Sequence, residues 1–154
     1  MRLFNIFKSP KPVIVDDALF GPLRFKKVKN RPHKSYLKGK GMFKPTGREI
    51  EYFICGNETG PQPEQKEFYQ AVQRDFGLIT KNIKPLIEDE FRNWQDDFTI
   101  RDFNKEFILI AMSIPRQENK PLEWHLSFET IHDSNHQVTV EMNSYVPMGI
   151  VFDG

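Results

Sequence analysis

Residues 62–94 read QPEQKEFYQAVQRDFGLITKNIKPLIEDEFRNW, and the fold class turns on how this stretch is read. Phe68, Val72, Phe76, Ile79, Ile83, Ile87, Phe91 and Trp94 recur at spacings of three and four, which aligns them on one face of a helix. The phase holds from Phe68 to Trp94, so the spacing predicts a single amphipathic helix over Gln62–Trp94 with its apolar stripe laid on a sheet. Gly77 weakens that helix, and Pro85 removes the hydrogen bond to the carbonyl of Lys81, so a kink is expected between Lys81 and Pro85. Length argues the same way. A straight helix of 33 residues would span roughly 50 Å, against a radius of gyration near ~15 Å for a chain of this size. Pro63 suits the first turn, and Glu64 and Glu67 favour the positive end of the dipole, although no strong side-chain cap is visible.

On either side the pattern changes to strands and turns. Val13–Val15, Leu23–Val28 and Ser35–Leu37 suggest short strands, with Phe20-Gly21-Pro22 and Lys38-Gly39-Lys40-Gly41 between them as turns. Arg48–Cys55 is the clearest strand of the first half. Phe107–Ile114 is an apolar run of strand length, which predicts a central strand covered on both faces. Leu122, Trp124, Leu126 and Phe128 alternate with Glu123, His125, Ser127 and Glu129, and Val138, Val140 and Met142 repeat the pattern. These two runs predict an antiparallel hairpin with one packed and one wet face, turning through His132–His136. Val146–Phe152, interrupted by Pro147 and Gly149, falls at an edge. The expected architecture is therefore α+β: an antiparallel sheet packed on one long kinked amphipathic helix, with a barrel-like sheet around that helix as the alternative. Residues 1–12 form a flexible N-terminal lead, and residues 13–154 one domain.

Charge is distributed unevenly. Residues 1–48 hold 13 Lys and Arg against 2 Asp, whereas residues 49–154 hold 9 against 19 acids, although the whole chain carries a net charge of only +1. The basic part, with Lys26, Lys27, Lys29 and Arg31 at its centre and Phe25, Tyr36 and Phe43 interleaved, has the composition of a phosphate-neutralising surface. It carries no nucleic-acid motif, and the acidic remainder would repel the same backbone. No run approaches the length of a membrane-spanning helix, and the MRLFNIFK cluster is too short for a signal-peptide core. Cys55 is the only cysteine, which excludes an intrachain disulfide and fits a reducing compartment, so a cytoplasmic location is expected.

Catalytic and ligand-binding patterns are weak throughout. His132 and His136 have the four-residue spacing of helical zinc ligands but fall in a predicted turn, and Asp97, Asp102 and Asn104 lack the remaining ligands of a calcium loop. Cys55 has no neighbouring base, and no nucleophile elbow, zinc-protease helix or phosphate-binding loop is present. His125, Glu129, Thr139 and Glu141 share the wet face of the hairpin, where acid–base chemistry and ordinary surface polarity look alike in sequence. The expectation is a chain with no catalytic residue, cofactor or metal. Its candidate partner-binding residues are Lys26, Lys27, Lys29, Arg31, His125, Glu129 and Glu141.

Phe20-Gly21-x-Leu23, Pro45-Thr46-Gly47-Arg48-Glu49-Ile50-Glu51, Phe91-x-x-Trp94, Trp124-x-Leu126-x-Phe128, His136-x-Val138-x-Val140 and Gly149-x-x-x-Asp153-Gly154 together resemble small bacterial proteins of unknown function. Similar domains are thought to include immunity proteins that neutralise polymorphic toxins. The resemblance covers most of the chain through dispersed positions and carries over no functional residue. It implies a non-enzymatic bacterial cytosolic protein that works by binding another protein; the alternative, from the basic third, is nucleic-acid binding.

Overall fold

A computed structural model describes residues 10–154. The MRLFNIFK cluster and most of the expected N-terminal lead lie outside the described residues. The described residues form one eight-stranded sheet whose spatial order equals its sequence order. The strands are β1 (Ile14–Asp17), β2 (Gly21–Lys26), β3 (Tyr36–Phe43), β4 (Arg48–Cys55), β5 (Phe107–Ile114), β6 (Glu123–Thr130), β7 (Asp133–Asn143) and β8 (Val146–Asp153). Every neighbouring pair is antiparallel except β4–β5, which is parallel. The sheet is thus two four-stranded meanders joined along one parallel seam. A parallel pair needs a long crossover, and residues 56–106 supply it with helices α1 (Pro63–Arg74), α2 (Phe76–Phe91) and the single turn α3 (Phe103–Glu106).

The single long helix expected over Gln62–Trp94 is not formed. Strand outweighs helix, 42% to 24% of the described residues, and the helical part comes in three short pieces. The break falls at Asp75, ten residues before the Pro85 at which a kink was expected. Asp75 leaves helical geometry (φ −100°, ψ 11°), closing α1 through its N–H to the Ala71 carbonyl and opening α2 by accepting the N–H of Ile79. Its carboxylate is held by the Arg74 guanidinium at 2.9 Å and the Tyr145 hydroxyl at 2.9 Å, so a tertiary contact from the β7–β8 turn fixes the corner. Pro85 stays inside α2, where it and Lys81 are exposed and the carbonyl it leaves unpaired can meet water. Phe68, Val72, Phe76, Ile79, Ile83, Ile87 and Phe91 are all buried, because the corner preserves their phase. Trp94 lies past the end of α2 and is 63% exposed, although its ring contacts Phe91 and Phe152.

Three further expectations are corrected. Lys38-Gly39-Lys40-Gly41 is not a turn but the middle of β3. Its glycines permit close approach on the packed face: a Cβ on Gly39 would sit 2.4 Å from Leu23 Cδ2, and one on Gly41 2.7 Å from the Tyr52 hydroxyl. The space they leave admits the cluster of Phe20, Tyr52 and Tyr69, in which the two tyrosine hydroxyls lie 3.1 Å apart. Likewise Asp133-Ser134-Asn135 begins β7 instead of forming a turn. Strand β5 is covered on one face only; Phe107, Leu109, Met112 and Ile114 are buried, a bulge between Leu109 and Ala111 shifts the alternation, and Ile108, Ala111 and Ser113 are half-buried.

The helices pack on one face of the sheet, with Phe76 against Phe43, Phe68 against Trp124 and Phe91 against Phe107 and Phe152. Gln65 ties this layer to the parallel seam. Its side chain is fully enclosed at 1% exposure; the amide nitrogen donates to the carbonyls of Cys55 (2.8 Å), Pro115 (3.3 Å) and Ile114 (3.4 Å), and Oε1 accepts the N–H of Gln62 (3.0 Å). One side chain therefore satisfies the first turn of α1 and the last carbonyls of both seam strands. Gln65→Leu keeps the size but leaves buried acceptors without a donor. We expect it to lower unfolding stability by about 1–3 kcal/mol, read as a shift in the urea midpoint without loss of the folded baseline.

Candidate functional site

Alternation divides the sheet into a packed face under the helices and an open face. The pairing register strings one row of open-face residues across the strands: Arg24 opposite Lys38, Lys38 opposite Phe53, Phe53 opposite Ser113, then His125 opposite Glu141 and Glu141 opposite Gly149. Ser113 and His125 complete the row across β5 and β6. The Ser113 hydroxyl accepts the backbone N–H of His125 at 2.9 Å and lies 3.0 Å from His125 Nδ1. Beside this row, Lys26 stands opposite Tyr36 and Tyr36 opposite Cys55, while Ser127 stands opposite Thr139, their hydroxyls 2.9 Å apart.

The centre of the open face is apolar and slightly hollow. Lys34, Tyr36, Phe53, Cys55, Ser113 and His125 line an open depression of about 380 Å³. Tyr36 and Phe53 are half-buried and meet at 5.8 Å between ring centroids, tilted 56°. Lys38 Nζ stands 5.3 Å from the centre of the Phe53 ring and also pairs with Glu51 at 3.3 Å. Burial lowers the pKa of His125 below the ordinary 6.5, while Glu141 and Asp153 pull the other way.

The two groups of sequence-derived candidates fall on opposite sides of this centre. Lys26 ends β2 on the open face, and Lys27, Lys29 and Arg31 follow in the exposed β2–β3 loop, which closes with the 3₁₀ turn Pro32–Lys34. Among the described residues none of these four takes part in an ion pair, in contrast to Lys38 and Lys40, which pair with Glu51 and Glu49 on β4. His125 and Glu141 are cross-strand neighbours, as their alternation implies, but Glu129 lies further along β6, beyond their row and next to a register shift, on the rim shared with Asp133, His136 and Asp153. The sequence names Tyr36 only as an aromatic interleaved with the basic stretch, and it does not single out Phe53 or Ser113. The one available signal for Ser113 is its position as the polar residue of the apolar run Phe107–Ile114.

The histidines of the β6–β7 hairpin are not brought together. His132 Nε2 bonds the Glu106 carboxylate at 2.8 Å and its ring packs against Phe98, while His136 Nδ1 bonds Asp133 at 2.7 Å. Glu106 also accepts the N–H groups of Arg101 and Asp102, so these contacts anchor the hairpin tip to the start of β5. Among the described residues, no three His, Cys, Asp or Glu side chains are grouped to hold a metal ion, and no helix is long and apolar enough to cross a membrane.

The lowered His125 pKa has a definite sign. The unfolded chain takes up the proton first, so the stability that neutral His125 contributes is complete above pH 6.5 and is lost as pH falls through its lower folded value. An NMR titration should place His125 below 6.5, and His125→Gln should lose less stability than the parent between pH 7.5 and pH 5; equal losses would contradict the assignment. No family model matches this chain, and no match is found among the curated proteins or the solved structures.

Proposed function

We propose that the protein is a non-enzymatic protein-binding module whose contact surface is the open face of the sheet. The observation that carries this reading is the face itself: half-buried Tyr36 and Phe53 at its centre, flanked on one side by the cationic β2–β3 loop and on the other by Glu141 and Asp153. Protein interfaces combine an apolar, aromatic core with a polar rim, and charges of both signs around that core speed association and fix orientation. The resemblance to immunity-type proteins adds a specific form of the reading: an inhibitor that occludes a toxin in the bacterial cytosol. Ser113 and His125 lie hydrogen-bonded on an open sheet surface, which suits orientation of a contact better than sequestration of a reaction from water.

A photo-crosslinking residue placed at Phe53 tests this in the native host. It should yield one stoichiometric protein adduct, which weakens at high salt, while the same group at Leu78, exposed on α2, should yield none. No adduct, or the same adduct from both faces, would overturn the reading.

The cationic loop favours nucleic-acid binding as the second reading. Lys27, Lys29 and Arg31 are exposed and without described ion pairs, as phosphate-contacting groups are before binding. If that reading holds, the protein retains on heparin and shifts an oligonucleotide with an affinity that falls steeply with salt, and Lys27→Glu with Arg31→Glu reduces the salt slope by about two. Absence of retention at low salt removes it.

A further inference from the structure

We infer that the open face takes an extended polypeptide segment of mixed charge, anchored by an aromatic side chain in the Tyr36–Phe53 depression and carrying its acidic residues over the β2–β3 loop. This rests on the protein-binding reading above and names the chemistry of the partner.

Three observations converge on that occupant. The first is the floor of the depression, where two tilted aromatic rings leave their faces and edges available to a third ring, with Lys38 already beside Phe53. Its polar groups are few: the Ser113 hydroxyl is engaged with the backbone and ring of His125, and the Cys55 thiol points its weak hydrogen bond to the His33 carbonyl at 3.8 Å. A small polar ligand would find little to bond, whereas an aromatic side chain would displace water from apolar surface.

The second is the charge on one lip. Between Asp17 and Glu49 the chain has no acidic residue and ten Lys and Arg. The lysines on the strand itself are compensated by β4, Lys38 by Glu51 and Lys40 by Glu49. The loop cations are not paired with any described acid, and they stand where a segment leaving the depression past Tyr36 would run, since Lys26 is opposite Tyr36.

The third is the other lip. Glu141 stands opposite His125 and Asp153 opposite Gln137, and neither forms an ion pair among the described residues. Glu141 lies two strands from Ser113, about 10 Å away at ordinary strand spacing. A polyanion such as a nucleic acid that crossed the depression would bring phosphates onto those carboxylates, whereas a peptide can change sign along its length and satisfy both lips.

The test uses the full chain and a fluorescein-labelled twelve-residue peptide with an acidic half, a central phenylalanine and a lysine-containing half. Fluorescence polarisation at low salt should show saturable binding, with amide shifts in an NMR titration confined to Tyr36, Phe53, Ser113, His125, the β2–β3 loop and the lip formed by Glu141 and Asp153. Replacing the probe's phenylalanine by glycine, or introducing Phe53→Ala, should weaken binding at least tenfold. Lys27→Glu with Lys29→Glu should weaken it several-fold and flatten its salt dependence. The inference is overturned if an all-lysine probe or a single-stranded oligonucleotide binds as well, if loss of the anchor changes nothing, or if the shifts map elsewhere. An adduct from Phe53 in the host together with no binding of the charged aromatic probe would leave the open face as the contact surface and reject this partner chemistry alone.

Discussion

The parallel pairing of β4 with β5 is the constraint on which the rest of the structure depends. Antiparallel neighbours can be joined by tight turns, and the six antiparallel connections here are short. The parallel pair instead requires the chain to travel back along the sheet, and the helical segment exists to make that return while covering the sheet. The seam is therefore where helix layer and sheet must agree in position. Gln65 enforces the agreement, because its amide reaches carbonyls at the ends of both seam strands while its oxygen holds the start of α1. A buried amide in this position gains only about a kilocalorie from each hydrogen bond, but its loss would leave several groups unpaired at the one place where neither meander can compensate.

That constraint explains what was legible in the sequence and what was not. The apolar stripe from Phe68 to Phe91 is legible because packing against the sheet selects every third or fourth residue, and those residues are buried. The interruption at Asp75 is not legible: a corner that preserves phase leaves no mark on periodicity, and the hydroxyl that stabilises it comes from Tyr145, seventy residues away. Pro85 is a louder local signal but a weaker event, since an exposed helix face tolerates the lost hydrogen bond. Lys38–Gly41 misleads for the opposite reason. Two glycines spaced by lysine imitate a turn, yet they are glycines because Leu23 and Tyr52 occupy the space their side chains would fill.

The candidate site was legible as two halves but not as one surface. Alternation shows that His125 and Glu141 share the exposed side of a hairpin, and composition shows that the first third is basic. What joins them is Phe53 beside Ser113 across the seam, a contact between residues sixty apart that no local pattern encodes. The choice between Tyr52 and Phe53 as core residue could not be made from β4 alone, because both are aromatic strand formers. The structure buries Tyr52 with Tyr69 and leaves Phe53 on the open side.

The polarity of that surface follows from topology. Because the strands lie in the order in which they occur in the chain, a charge gradient along the sequence becomes a charge gradient across the sheet. Residues 10–55, with the first four strands, hold eleven Lys and Arg against four acids, and residues 107–154, with the last four, hold two against six. A sheet in which strands from the two halves alternated would have placed these charges next to one another and cancelled the field at short range. Here the opposite signs are kept apart by the width of the seam, whose open-face residues are Phe53, Cys55, Ser113 and Ala111 together with Glu51, whose charge is met by Lys38. On the neighbouring strand β6 burial lowers the pKa of His125, which works against a positive charge beside the apolar depression between the two lips. Such an arrangement costs the fold little, because separated like charges on a wet surface are screened over about 8–10 Å. A partner that crosses the strands would experience both lips at once, which converts a gradient written along the chain into a preferred orientation on the surface.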